Sequence, residues 1–176
     1  FGTSAQIAPA ALRAEFVSLR TARTANDALP SDVVSALAHQ HIGGIDVSES
    51  RLLLAIPTHA AWLVPGPQET CVILRRDVSG PSATGVISSA CSPDSVVELS
   101  GIVSVSGTTV VGVLPDGCGQ VTVTLRDGST VQVTANDKGG FARDLAQPPS
   151  KLSYTGANGA SHEISVPSPT PAPGGP

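Results

Sequence analysis

The four histidines carry the groups best suited to acid–base or metal chemistry in this 176-residue chain. His59 follows Ser48 and Glu49 at a short distance, and a serine, a histidine and a carboxylate together are the components of nucleophilic hydrolysis. The segment 57–60 is most simply the tip of a hairpin, and no serine stands in a Gly-x-Ser-x-Gly motif. A small envelope hydrolase using His59 is therefore the alternative hypothesis rather than the leading one.

His39 and His41 are the candidate metal ligands, with Asp46 downstream. On a strand the two histidines would share a face, but they stand at the end of a predicted helix. A histidine in that position is favoured by the helix dipole without any metal. A metal-dependent enzyme using His39 and His41 belongs to the alternative hypothesis, and the leading interpretation expects no cofactor, because no Gly-rich phosphate loop is present.

Cysteine spacing predicts one disulfide bond. Cys71 and Cys91 lie 20 positions apart beside strand-like sequence, and the chain has no Cys-x-x-Cys motif or zinc-type Cys/His spacing. A bridge closing such a loop contributes roughly 3 kcal/mol to stability. Cys118 follows a Pro-Asp-Gly turn and is expected to be a partly covered thiol without special reactivity.

Trp62 is the most conspicuous single aromatic residue, in a chain with one Trp, one Tyr and three Phe. It has two interpretations. Its ring either packs in the core beside the disulfide or is exposed as an anchor for a carbohydrate or protein partner.

Composition excludes several classes of protein. With 40% hydrophobic and 14% charged residues, the chain is not a disordered polyelectrolyte. A net charge of −4 with scattered Lys and Arg gives no basic patch for nucleic acid or an anionic membrane. No apolar run approaches the roughly 18 residues of a membrane helix, so we expect no membrane insertion within this segment. The sequence gives no indication of an oligomeric state.

The predicted disulfide, together with the composition, indicates an exported protein. Ala, Val, Gly and Pro are abundant and Arg outnumbers Lys, which is typical of a high-GC bacterium. The chain starts at Phe1 and has no methionine, so we expect a mature or trimmed form. Because disulfides persist in oxidising compartments, the expected location is extracytoplasmic, either secreted or on the outer face of the plasma membrane.

The elements that must position these residues begin with two predicted helices. Leu12, Phe16 and Leu19 recur at helical spacing, which predicts a helix over 9–23 with one apolar stripe. Ser31 is expected to cap a second helix that ends near Gln40. The predicted strands 51–56, 60–64, 71–75 and 83–88 form a meander under the apolar stripe. Residues 92–99 are predicted as either one helical turn or a strand.

The C-terminal half predicts hairpins with three-residue loops. The loop 126–128, with Gly128 in the left-handed conformation, pairs Val123 with Val131 and Val121 with Val133.

The same loop length at two further turns predicts two more hairpins. Around 115–117 it pairs Val111 with Val121, and around 157–159 it pairs Leu152 with Ile164 and Tyr154 with His162. The segment from Gly139-Gly140 to Pro148-Pro149 is expected to be a crossover.

We therefore predict an α+β fold in which two N-terminal helices precede mainly antiparallel β structure. Residues 1–100 form the helical segment and the meander with the disulfide. Residues 101–167 form a hairpin-rich β-sandwich or open barrel that either shares the core of 1–100 or has its own. Residues 168–176 are predicted to be a disordered Pro-rich tail.

Three short motifs carry a resemblance to known proteins. The first is Leu12-Arg13-x-x-Phe16-x-x-Leu19-Arg20 followed by Asp27-x-Leu29-Pro30. The second is Trp62-Leu63-Val64-Pro65-Gly66 ahead of Cys71-Val72. The third is Val110-Val111-Gly112-Val113-Leu114-Pro115-Asp116-Gly117 ahead of Val121-Thr122-Val123, then Asp127-Gly128 and Val131. Together they resemble a group of exported or membrane-tethered proteins of high-GC bacteria whose function is unknown. The resemblance implies an extracytoplasmic domain with a Cys71–Cys91 bridge, and it implies no activity.

The leading hypothesis is a non-catalytic extracytoplasmic domain that serves as an interaction, sensing or envelope-structural module. Its partner is expected to be a protein or a component of the cell envelope. Sheet edges or the N-terminal helices are the expected contact surface.

Overall fold

The computed structural model describes residues 9–42, 44–77, 86–156 and 159–167. Antiparallel strands dominate, and the four α-helices described are short. The helices are α1 (Ala10–Glu15), α2 (Val17–Arg20), α3 (Ser31–His39) and α4 (Asp94–Ser100), with 3-10 turns at Ala25–Asp27 and Val47–Glu49. The strands are β1 (Arg51–Ile56), β2 (His59–Val64), β3 (Glu69–Arg76), β4 (Val86–Pro93), β5 (Ile102–Ser106), β6 (Thr109–Val113), β7 (Gln120–Leu125), β8 (Thr130–Thr134), β9 (Gly140–Asp144), β10 (Pro149–Thr155) and β11 (Ser161–Ser165).

The strands form three separate antiparallel sheets. Sheet 1 has the order β1-β2-β3-β4, sheet 2 the order β5-β6-β9, and sheet 3 the order β11-β10-β7-β8. In the described part of the chain none of them closes into a barrel. The predicted α+β class and the predicted meander are confirmed.

Sheet 2 is the central layer, because both of its faces are covered. Val111 and Val113 on one face join a core with sheet 1, the N-terminal helices and α4. Val110 and Phe141 on the other face join a core with sheet 3. A third core lies between α3 and the outer face of sheet 1. The layers therefore run α3, sheet 1, sheet 2, sheet 3.

The core between sheets 1 and 2 draws on residues on both sides of position 100, from Leu12 to Val113. The division of the chain into 1–100 and 101–167 stays a prediction. Residues 157–158 of the third hairpin loop and the tail 168–176 lie outside the described residues.

The first predicted helix is broken, which corrects the expectation of one helix over 9–23. Phe16 is extended, with φ −129° and ψ 112°, and separates α1 from α2. The backbone N–H of Val17 donates to Asp116 Oδ1 at 3.0 Å, and the N–H of Asp116 donates to the carbonyl of Glu15 at 2.8 Å. The turn at Asp116 therefore replaces the helical hydrogen bonds at the break. The apolar stripe is confirmed nonetheless, since Phe16 is fully buried against sheet 1.

The second helix has nearly the predicted bounds but not the predicted cap. Pro30 precedes α3 as its N-cap, and Ser31 is the first helical residue. Proline suits this place because it has no N–H to leave unsatisfied and fixes φ near its observed −58°.

The segment after the disulfide is helical, as α4, rather than a strand. Strand β4 runs from Val86 to Pro93 and so extends past the predicted end at 88, while positions 83–85 of the prediction lie outside the described residues.

Two of the three predicted hairpin registers are confirmed. Val123 pairs with Val131 across a loop in which Gly128 has φ +87°, and Tyr154 pairs with His162. The pairing of Val111 with Val121 is wrong. Strand β6 is already flanked by β5 and β9, so the turn at 115–117 carries the chain from sheet 2 to sheet 3.

Strand β9 was expected to be part of a crossover, and the structure corrects this. Gly140 starts the strand and lies so close to β1 that a Cβ there would be 2.8 Å from the Cβ of Leu53. The close approach of the β9 backbone to β1 at Leu53 thus depends on the absence of a side chain at Gly140.

The buried carboxylate of Asp27 ties the segment between α2 and α3 to sheet 1. Its Oδ2 accepts from the backbone N–H of Thr24 at 2.6 Å, and its Oδ1 accepts from the N–H of Leu52 at 2.8 Å. The hydroxyl of Ser50 donates to the Asp27 carbonyl at 2.6 Å. Burial alone would raise the pKa of Asp27, but the hydrogen bonds from Thr24 and Leu52 outweigh it and hold the pKa below its usual value.

We expect Asp27→Asn to lower the free energy of unfolding by about 2 kcal/mol at pH 7, because an amide cannot accept all of these bonds. A carboxylate whose pKa is lower in the folded state stabilises above the unfolded pKa of about 3.9, and this stability is lost as the pH falls through the folded pKa. The decline in stability below about pH 4 should therefore be shallower in Asp27→Asn. Urea denaturation at a series of pH values measures both effects.

Asp137→Asn is the matched control, since it removes an exposed carboxylate. An Asp27→Asn variant with the stability and acid response of the Asp137→Asn control would contradict the role assigned to Asp27.

Candidate functional site

Polar side chains close one end of the core between sheets 1 and 2. His59 and Arg76 are cross-strand partners on β2 and β3, and Thr109 and Asp144 are partners on β6 and β9. Because side chains alternate along a strand, all four project from the faces that bear this core. Together with Thr58 in the preceding turn, they form what we call the His59 cluster.

The His59 cluster contains a continuous series of hydroxyl, imidazole and carboxylate. The Thr58 hydroxyl lies 2.7 Å from His59 Nδ1, and His59 Nε2 lies 3.3 Å from Asp144 Oδ1. This second contact is within ion-pair distance but does not have hydrogen-bond geometry. His59 is only 4% exposed, whereas Thr58 and Asp144 are exposed. Solvent therefore reaches the two ends of the series but not its centre.

Asp144 also accepts a hydrogen bond from the buried hydroxyl of Thr109 at 2.5 Å, and Arg76 donates to that hydroxyl at 3.0 Å. The bond from Thr109 is the main cause that lowers the pKa of Asp144, against a smaller effect of burial. The charges of His59 and Arg76 lower it further. Asp144 is thus a carboxylate at neutral pH, and its negative charge lies beside the imidazole of His59.

His59 has partners other than the expected ones. It is the first residue of β2 rather than part of the hairpin tip. Ser48 donates to Asp46, and Glu49 pairs with Arg51 at 3.6 Å, so these contacts hold the 3-10 turn and the start of β1. The partners of His59 are Thr58 and Asp144 instead.

The proposed metal ligands are not assembled into a site. His39 Nδ1 lies 2.7 Å from the carbonyl of Ser35 one turn earlier in α3, and His41 follows the helix with a left-handed φ of +54°. Asp46 accepts hydrogen bonds from Ser48. Within the described ranges, the single group of three close metal-ligand side chains is Glu69, Cys71 and Cys91, and both sulfurs belong to a disulfide.

The Cys71–Cys91 disulfide joins residues directly opposite each other on β3 and β4, with Cα atoms 4.0 Å apart. Trp62 lies in the core beside Cys71 and is 4% exposed. Its ring is a core element in this fold and is not presented to a partner. Cys118 is buried in the core between sheets 2 and 3.

Comparison of the chain with protein-family models, with curated proteins and with solved structures finds no match.

None of the helices in the described ranges has both the length and the apolar character needed to span a bilayer.

We expect Thr109→Val to return the pKa of Asp144 toward about 3.9, because it removes the main hydrogen bond that lowers this pKa. It should also lower the free energy of unfolding by about 1 kcal/mol. The pKa can be measured by carboxyl-carbon NMR titration and the stability by urea denaturation.

Thr124→Val removes a partly exposed hydroxyl on sheet 3 and serves as the control. If Thr109→Val left the Asp144 titration unchanged, the hydrogen bond would not be its cause.

Proposed function

We propose that this chain is an extracytoplasmic, non-catalytic interaction module of the bacterial cell envelope. The observation that carries the proposal is the Cys71–Cys91 disulfide inside sheet 1. Disulfides form and persist in exported proteins and are rare in the reducing cytosol. The resemblance to exported proteins of high-GC bacteria supports the same location.

The surroundings of the titratable groups support a binding role over a catalytic one. His39 lies against a helical carbonyl, and His162 stacks on Tyr154 with ring centroids 5.1 Å apart. Both contacts have ordinary structural roles at a helix end and across paired strands. The net charge of −4 makes a protein or an uncharged envelope component a better partner than nucleic acid or an anionic membrane. The open sheets also leave outermost strands, β4 among them, that could pair with a partner strand.

The location can be tested on intact host cells with a membrane-impermeant, amine-reactive biotin reagent. We expect this chain to be biotinylated before lysis, while a cytoplasmic protein is labelled only after lysis. Its intact mass without reductant should be lower by two hydrogens than the mass after reduction. Labelling of the chain only after lysis, or a fully reduced chain, would overturn the proposal.

A second candidate function, acyl hydrolysis, is favoured by the series Thr58, His59 and Asp144. In this candidate the Thr58 oxygen attacks an ester carbonyl carbon while His59 Nδ1 takes the hydroxyl proton, and Asp144 stabilises the resulting imidazolium. The ester C–O bond then breaks, and the leaving alkoxide takes the proton from His59. Water, deprotonated by His59, releases the acid and regenerates the threonine hydroxyl.

Ester hydrolysis by the purified chain discriminates the two candidates. We expect the wild type and Thr58→Val to hydrolyse a p-nitrophenyl ester at the same rate, as the matched Thr124→Val variant does. General-base catalysis contributes about 10²–10⁴-fold to a rate. A loss of that size in Thr58→Val and His59→Gln, but not in Thr124→Val, would make hydrolysis the better proposal.

A further inference from the structure

The outer face of sheet 3 carries an open, concave surface with a volume of about 610 Å³. Its position follows from strand alternation, because its strand residues other than Tyr154 project away from the core between sheets 2 and 3. It is lined by Gly117, Gly119, Gln120, Thr122, Gln132, Ser153, Tyr154, Thr155, Gly156 and Ser161.

The ten described residues that line this surface include no charged side chain. At its centre, Thr122 and Gln132 are cross-strand partners, and the Gln132 amide donates to the Thr122 hydroxyl at 2.9 Å. Ser153 lies opposite Thr122 on the neighbouring strand β10. A row of hydroxyl and amide groups therefore crosses three strands, and each of these groups can both donate and accept a hydrogen bond.

Three of the residues that line the concave surface are glycines. Gly119 has no atom within 4 Å of the position that a Cβ would occupy, so the space beside it is open. Gly117 and Gly156 also line the surface. A ligand can therefore approach the row of polar groups without meeting a large side chain at these points.

This chemistry selects among ligand classes. A charged ligand would find no opposite charge in the lining, and an apolar ligand would bury hydroxyl and amide groups without partners, which costs free energy for each group. A neutral polyhydroxylated ligand matches the row, because its hydroxyls also both donate and accept hydrogen bonds.

We propose that the outer face of sheet 3 binds a short segment of a neutral polysaccharide. The proposal deepens the envelope interaction module proposed above by naming its partner class, and it rests on that function for its biological setting.

Affinity electrophoresis of the purified chain, in native gels containing dextran, mannan or arabinogalactan, tests the proposal. We expect at least one of these neutral polymers to retard the wild type. The double variant Thr122→Val/Gln132→Leu should weaken the apparent affinity at least tenfold, because it removes the donors and acceptors at the centre of the row.

The matched control is Thr124→Val/Thr130→Val. These residues are also cross-strand partners on the outer face of β7 and β8, but they do not line the concave surface. The control should bind like the wild type, and circular dichroism melting should show that both double variants are folded. Substitution of Gln120→Leu alone gives a second variant if the first one melts early.

Three outcomes would overturn the proposal. They are no retardation by any of the three neutral polymers, equal retardation of the two double variants, and stronger retardation by the polyanion alginate than by a neutral polymer. Because purified protein is used, failure here would leave the envelope location intact. Labelling of the chain only after lysis would, in turn, overturn the location without changing the binding result.

Discussion

The structure depends on the burial of both faces of sheet 2. All five residues of its central strand β6 are buried, and they face alternately toward sheet 1 and toward sheet 3. Such a strand is stable only when a layer covers each side. Close packing also requires a small residue, since a Cβ at Gly112 would lie 2.8 Å from the ring of Phe141. The chain has few aromatic residues, so its cores are filled mainly by the smaller side chains of Val and Leu, packed between closely spaced sheets.

The same burial explains the His59 cluster. Thr109 begins β6 and is fully buried, so its hydroxyl must find hydrogen-bond partners inside the protein. Asp144 and Arg76 supply them. Asp144 in turn lies 3.3 Å from His59 Nε2 through its Oδ1, so the imidazole joins the same cluster. The position of the Asp144 carboxylate beside His59 therefore follows from satisfying the buried hydroxyl of Thr109.

Local patterns predicted local structure well. Strand β1 has the predicted bounds, and the register of β7 with β8 follows from their alternating valines and from Gly128 in the loop. Loop length could not show whether two strands share a sheet, which is why the predicted pairing of Val111 with Val121 was wrong. The consecutive apolar residues of β6 are the sequence signal of a strand buried on both faces, and this signal favours flanking strands in its own sheet.

Long-range polar contacts were beyond sequence analysis. The break at Phe16 depends on Asp116, and the partner of His59 is Asp144, a residue in a segment expected to be a crossover. Asp27 likewise accepts, besides its local bond from Thr24, a bond from the N–H of Leu52, which is distant in the chain. In each case a carboxylate meets a backbone or side-chain group whose nearness follows only from the layer order, and periodicity carries no information on that order.

The disulfide and the layer order have a common physical basis. The outermost strand β4 is mostly exposed or half-buried along its length, while β3 beside it is largely buried. Hydrophobic burial therefore holds β3 firmly and β4 weakly. The bridge from the buried Cys71 to the exposed Cys91 links the exposed strand β4 covalently to the buried strand β3. By constraining the unfolded chain it contributes roughly 3 kcal/mol to the stability of the fold. This contribution to the free energy of unfolding is present only in an environment where the disulfide stays oxidised. The bridge at the edge of sheet 1 is thus compatible with the extracytoplasmic location proposed above, because it stabilises the fold only where the two thiols stay oxidised.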